Sequence, residues 1–117
     1  MLTNFGKALR KMRIDHGEFM RDMAAKLGVT VAYLSAVENG KREVPDSWIE
    51  KLSETYSLSV EEKRMMQECA YEGKDNIKID IVGIEKEEKE LALAFARSFR
   101  TLSDDEKKTM KALFDNR

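Results

Sequence analysis

Met23-Ala24-Ala25-Lys26-Leu27-Gly28-Val29-Thr30-Val31-Ala32-Tyr33-Leu34-Ser35-Ala36-Val37-Glu38-Asn39-Gly40 is the stretch on which the rest of the chain turns. Gly28 takes a positive φ without a Cβ clash, so it stops a helix running from about Phe19 to Leu27. Thr30 is a good N-cap and opens a second helix that reaches about Asn39, where Gly40 stops it. The joint between the two is only Leu27-Gly28-Val29-Thr30. Ala24 is small where the helices must cross closely, and Val29, Leu34 and Val37 fill the angle between them.

Two short helices joined so tightly, with small, glycine and apolar positions at these offsets, form a helix-turn-helix. Working outward, a first helix spans about Thr3 to His16. Ala8, Phe5, Leu9 and Met12 form its stripe at three- and four-residue spacing, and Gly17 follows as the stop. A fourth helix follows Pro45 and ends near Tyr56, with Ile49, Leu52 and Tyr56 inward and Trp48 packed alongside. Ser59 and Glu62 read as a capping box opening a fifth helix that reaches about Tyr71.

The texture then changes. Gly73-Lys74-Asp75-Asn76 is a turn-forming linker. Ile77-Lys78-Ile79-Asp80-Ile81-Val82 alternates with period two and predicts a strand ended by Gly83. A sixth helix is expected from about Glu85 to Leu102, with Leu91, Phe95, Phe99 and Leu102 on one stripe. Ser103 and Glu106 form a second capping box, opening a seventh helix with Met110, Leu113 and Phe114 on its stripe. The expected architecture is mainly α: a five-helix domain over residues 1–74, then one short β-strand and two helices over residues 75–117.

Composition agrees with helices. Apolar residues are 42% and charged residues 37% of the 117, with a single proline. The formal net charge is −1, so nucleic-acid binding cannot rest on bulk charge and must rest on a local patch. Residues 1–58 hold nine Lys/Arg against eight Asp/Glu, and residues 59–117 hold twelve against fourteen. One cysteine, Cys69, excludes an intrachain disulfide. With no cleavable signal and no apolar run of about 18 residues, the chain reads as cytoplasmic, without membrane partners.

The runs Leu9-Arg10-Lys11-Met12-Arg13, Met23 to Thr30 and Tyr33-Leu34-Ser35-Ala36-Val37-Glu38-Asn39-Gly40-Lys41-Arg42 together resemble the Cro/phage-repressor (XRE) helix-turn-helix family. The resemblance covers residues 5 to 58, and Glu-Asn-Gly-Lys at 38–41 is its most specific part. It implies a compact five-helix fold and a DNA-binding transcriptional regulator, or else the DNA-binding antitoxin of a toxin–antitoxin pair. It also implies a structural ion pair between Arg13 and Glu38.

A recognition helix presents its N-terminal side chains to base edges in the major groove. Those positions are Thr30, Val31, Ala32, Tyr33, Ser35 and Ala36, with Asn39 closing the helix. Lys41 and Arg42 lie where family members grip the backbone and would carry affinity, not sequence information. Val31, Ala32 and Ala36 offer no hydrogen bonds, so thymine methyls and DNA shape are the expected readout. Relatives place polar, phosphate-reaching residues at the start of the second helix. Phe19 and Met20 stand there instead, leaving the helix amides for a phosphate.

Catalysis is not expected. There is no Gly-rich phosphate loop, no Ser/His/Asp constellation and no metal-ligand spacing, and the lone His16 suits a helix C-terminus. No cofactor is expected. The partners expected are double-stranded DNA, a second copy of the chain, and a toxin or other protein through residues 75–117. An interaction module that no longer reads DNA is the alternative from another class. A lone strand has unpaired backbone groups, so Ile77, Lys78, Ile79, Asp80 and Ile81 are expected to pair with their own copy in a dimer. In that ladder Ile77 faces Ile81, and Lys78 faces Asp80.

Overall fold

Thr3 starts the first helix. Its hydroxyl accepts from the Gly6 amide at 3.0 Å, satisfying one of the free N–H groups of the opening turn. In the computed structural model, which describes residues 1–115 and 117, α1 then spans Asn4–Asp15. It is followed by α2 (Met20–Leu27), α3 (Val31–Glu38), α4 (Trp48–Tyr56) and α5 (Val60–Tyr71). Gly28 sits at φ 72° after α2, and the Val29 amide turns back onto the Ala24 carbonyl at 2.9 Å. Thr30 caps α3 by accepting from the Tyr33 amide at 3.0 Å. Ser59 and Glu62 exchange hydrogen bonds of 2.9 and 3.1 Å, which closes the start of α5.

The chain divides into two units, Met1–Ile77 and Lys78–Arg117. The first holds the core. Phe5 and Leu9 from α1, Met23 and Leu27 from α2, Leu34 and Val37 from α3, and Trp48 and Leu52 from α4 are buried together, with Met66 of α5 beside them. Each such side chain contributes about 1.5–3 kcal/mol by leaving water. Helix α1 packs on α3 and α5, α2 packs on α3 and α4, and α4 packs on α5. Ala24 is buried at the crossing of α2 and α3, where a larger residue would push the helices apart.

The second unit contains α6 (Lys86–Ser98), a 3-10 turn at Phe99–Thr101, and α7 (Asp104–Asp115). The Ser103–Glu106 capping box forms, with bonds of 2.8 and 3.1 Å. The sixth helix therefore breaks before Leu102 rather than running through it. Phe95 and Phe99 lie 5.6 Å apart between ring centroids. Among the described residues, neither α6 nor α7 buries a single side chain. Leu91, Leu93, Leu113 and Phe114 all stand in the open.

The expected strand is absent. Residues 77–81 carry no regular structure, and no β-strand occurs among the described residues. The Asp80 carboxylate accepts from the Val82 amide at 2.9 Å, and the chain turns at Gly83, with φ 81°. A local side-chain bond of this kind takes up an amide that a ladder would need. Period-two alternation identifies two faces but supplies no partner strand. Here Ile77, Ile79 and Ile81 are exposed, and the Ile81 carbonyl accepts from the Ile84 amide at 3.5 Å rather than from a second strand. The fold is all helical, and the ladder drawn for Ile77, Lys78, Ile79, Asp80 and Ile81 goes with the strand.

Candidate nucleic-acid interface

Helix α3 is held at its C-terminal end from two sides. The Arg13 guanidinium meets the Glu38 carboxylate through two parallel bonds, Nη1 to Oε2 at 2.6 Å and Nη2 to Oε1 at 3.1 Å. Both residues are buried, Glu38 to 1% exposure. Arg13 Nη1 also lies 3.3 Å from the Met23 sulfur, which ties α2 to the same point. From the other side, the Thr3 amide and hydroxyl both donate to the Glu38 carbonyl, at 2.9 and 3.1 Å. The side chain and the backbone of one residue thus anchor α3 to α1.

With Leu34, Val37 and Glu38 turned inward, the opposite face of α3 is open. Val31 and Ala32 are exposed, and Ser35 and Ala36 are half-buried. The Asn39 side-chain amide donates to the Ser35 carbonyl at 2.9 Å and reaches the Ser35 hydroxyl at 3.4 Å. Tyr33 is half-buried. Its ring packs 6.1 Å from Trp48 and lies under the Arg42 guanidinium at 5.3 Å. The Lys41 and Arg42 amides return to the Ala36 carbonyl at 2.9 and 3.3 Å, so both exposed cations sit at the end of α3.

The start of α2 is not an open anion site. The Asp22 carboxylate accepts from the Phe19 amide at 2.7 Å, so a negative charge already occupies the first turn. Arg21 stacks on the exposed Phe19 ring at 5.0 Å. The spacing of Asp22 three residues after Phe19 was the signal that could have shown the cap. Thr3 and Gly6 gave no comparable signal, since their role is contact with α3.

A second group brackets α2 against α4. The Glu18 carboxylate pairs with Lys26 and accepts from the Tyr56 hydroxyl at 2.7 Å. Burial pushes the Glu18 carboxyl up, but the bonds from Lys26 and Tyr56 outweigh it and hold the group below the usual carboxylate range. Burial, reinforced by Glu18, pushes the Tyr56 phenol well up. Burial also raises the Cys69 thiol, with Glu72 and Glu68 adding to the effect, so this cysteine is a poor nucleophile. Among the described residues no group of three His, Cys, Asp or Glu could hold a metal ion, and no helix is long and apolar enough to cross a membrane.

A tight helical angle, an exposed second helix and two cations at its end define a DNA-binding domain of the helix-turn-helix class. Residues 9–63 match the family model described as helix-turn-helix, which is of the Cro/C1 type. No curated protein and no solved structure matched the chain. The protein is a DNA-binding regulator.

Proposed function

We propose that the protein is a homodimeric repressor that lays α3 in the major groove of a two-fold operator. The observation carrying this reading is the outward face of α3, with Val31 and Ala32 exposed and Lys41 and Arg42 at its end, on a helix anchored through Glu38. In this docking, Thr30, Val31, Ala32, Ser35 and Ala36 meet the base edges, Lys41 and Arg42 meet phosphates, and Asn39 braces the helix end. Tyr33 acts from beneath, by holding Arg42. Residues 1–74 are the reading domain and residues 75–117 the association segment.

The partner of that segment is a second copy. Leu91, Leu93, Phe99, Leu113 and Phe114 stay exposed in the single chain, and its charges complement themselves. Glu85, Glu87, Glu88 and Glu90 outnumber Lys86 and Lys89 at the start of α6, while Arg97 lies in its last turn and Arg100 in the 3-10 turn that follows. Two copies of α6 packed antiparallel lay the acidic start of each on the basic end of the other, around Leu91 and Phe95. Ile79 and Ile81 are exposed apolar residues of the same segment.

Binding to genomic fragments at two salt concentrations, with sedimentation of the same protein, tests the reading. A specific, salt-dependent complex of a dimer is expected. No complex at low salt would refute DNA reading, and a monomer that captures a different protein through residues 75–117 would replace the homodimer.

A further inference from the structure

We infer that α3 reads thymine through its methyl groups, with Val31, Ala32 and Ala36 as the residues that set specificity; this rests on the proposed docking of α3 in the major groove. Most of the polar side chains of the helix are already engaged. Thr30 Oγ1 accepts from the Tyr33 amide as the cap. The Asn39 amide is spent on Ser35, whose hydroxyl lies 3.4 Å from it. Glu38 is buried in its pair with Arg13. The Tyr33 ring packs against both Trp48 and the Arg42 guanidinium, which fixes where its hydroxyl can reach.

Beside the exposed Thr30 and the half-buried Ser35, the first two turns present hydrocarbon: the isopropyl of Val31, 44% exposed, the methyl of exposed Ala32 and that of half-buried Ala36. In the major groove only thymine displays an apolar group, its C5 methyl. The guanine, cytosine and adenine edges are donors and acceptors, and against a methyl face they would lose water and gain no partner. Alanines let the helix backbone approach closely, so two or three adjacent methyls are covered together. Each buried methyl is worth about fourfold in affinity, and three together about 50-fold.

The test uses one duplex recovered by the full-length protein from a random-sequence pool, synthesised with thymine or with uracil, which differ only by the C5 methyl. A duplex with thymines in its half-sites is expected, bound on the order of 10- to 50-fold more weakly as the uracil form. The Val31→Ala protein should bind the thymine duplex more weakly while losing less on the change to uracil. Equal affinity for the two duplexes would overturn methyl reading yet leave sequence-specific DNA binding standing. Recovery of no duplex at all would overturn both. Discrimination unchanged in Val31→Ala would remove Val31 from the readout, and with it the assignment made here.

Discussion

Gly6 of α1 lies so close to Glu38 at the end of α3 that a Cβ on Gly6 would stand 2.3 Å from the Glu38 carbonyl oxygen and 2.9 Å from its carbonyl carbon. Both contacts are to backbone, which cannot swing aside as a side chain end would. The same carbonyl takes two hydrogen bonds from Thr3. Gly6→Ala is therefore expected to separate α1 from α3, costing about 1–3 kcal/mol and weakening DNA binding by tilting α3. A thermal melt at the wild-type temperature would show that the two helices do not approach this closely.

Breaking the Arg13–Glu38 pair from either side leaves a buried charge without its partner. Glu38→Gln and Arg13→Met are each expected to cost about 3–5 kcal/mol, whereas the double change Arg13→Met with Glu38→Leu should recover part of that loss. Denaturant titrations of the three variants measure this. Additive losses in the double variant would show that the two groups act separately.

Lys41→Ala and Arg42→Ala should weaken specific and non-specific DNA binding alike and reduce the salt slope by roughly one for each cation lost. Arg42→Ala also uncovers Tyr33, so it should cost slightly more than Lys41→Ala. Affinity measured across a salt series decides, and an unchanged slope in the double variant would place the backbone contacts elsewhere.

Stability should fall at both ends of the pH scale because of one pair. Glu18 is held below its ordinary value when folded, so its contribution is present above about pH 4.5 and is lost as pH falls through the folded value. Tyr56 is raised from 10.0, so its contribution is present below pH 10 and is lost as pH rises towards the folded value. Tyr56→Phe should cost about 1.5–3 kcal/mol at neutral pH and flatten the alkaline limb. A wild-type alkaline limb in Tyr56→Phe would mean that another group governs it.

The association segment is tested by charge. Leu91→Lys, in the centre of the apolar face of α6, is expected to give a monomer whose first unit melts as in wild type. Leu91 is 72% exposed in the single chain, so the change costs that chain little. A dimer of undiminished affinity in this variant would move the interface off α6.

The helical angle was legible because its signals are local. Ala24, Gly28 and Thr30 act through their own size, φ and cap chemistry, and the Ser59 and Ser103 boxes act over three residues. The alternation at Ile77–Val82 was misleading for the opposite reason. A strand needs a second strand, and six residues of sequence say nothing about whether one exists. The packing of Tyr33 on Trp48 was not legible either, because it joins residues fifteen apart on different helices. Gly6, Thr3 and the Glu18–Tyr56 bond were silent for the same reason, since each acts only once helices distant in the chain have met.

Trp48 is the chain's one tryptophan, and it is buried against Tyr33, whose other side is covered by Arg42. The only strongly fluorescent group therefore sits one ring away from a cation proposed to meet the DNA backbone. When a phosphate draws Arg42 outward, the packing around Tyr33 changes, and the indole emission changes with it. If the proposed docking holds, the protein carries its own optical reporter of it, needing no label.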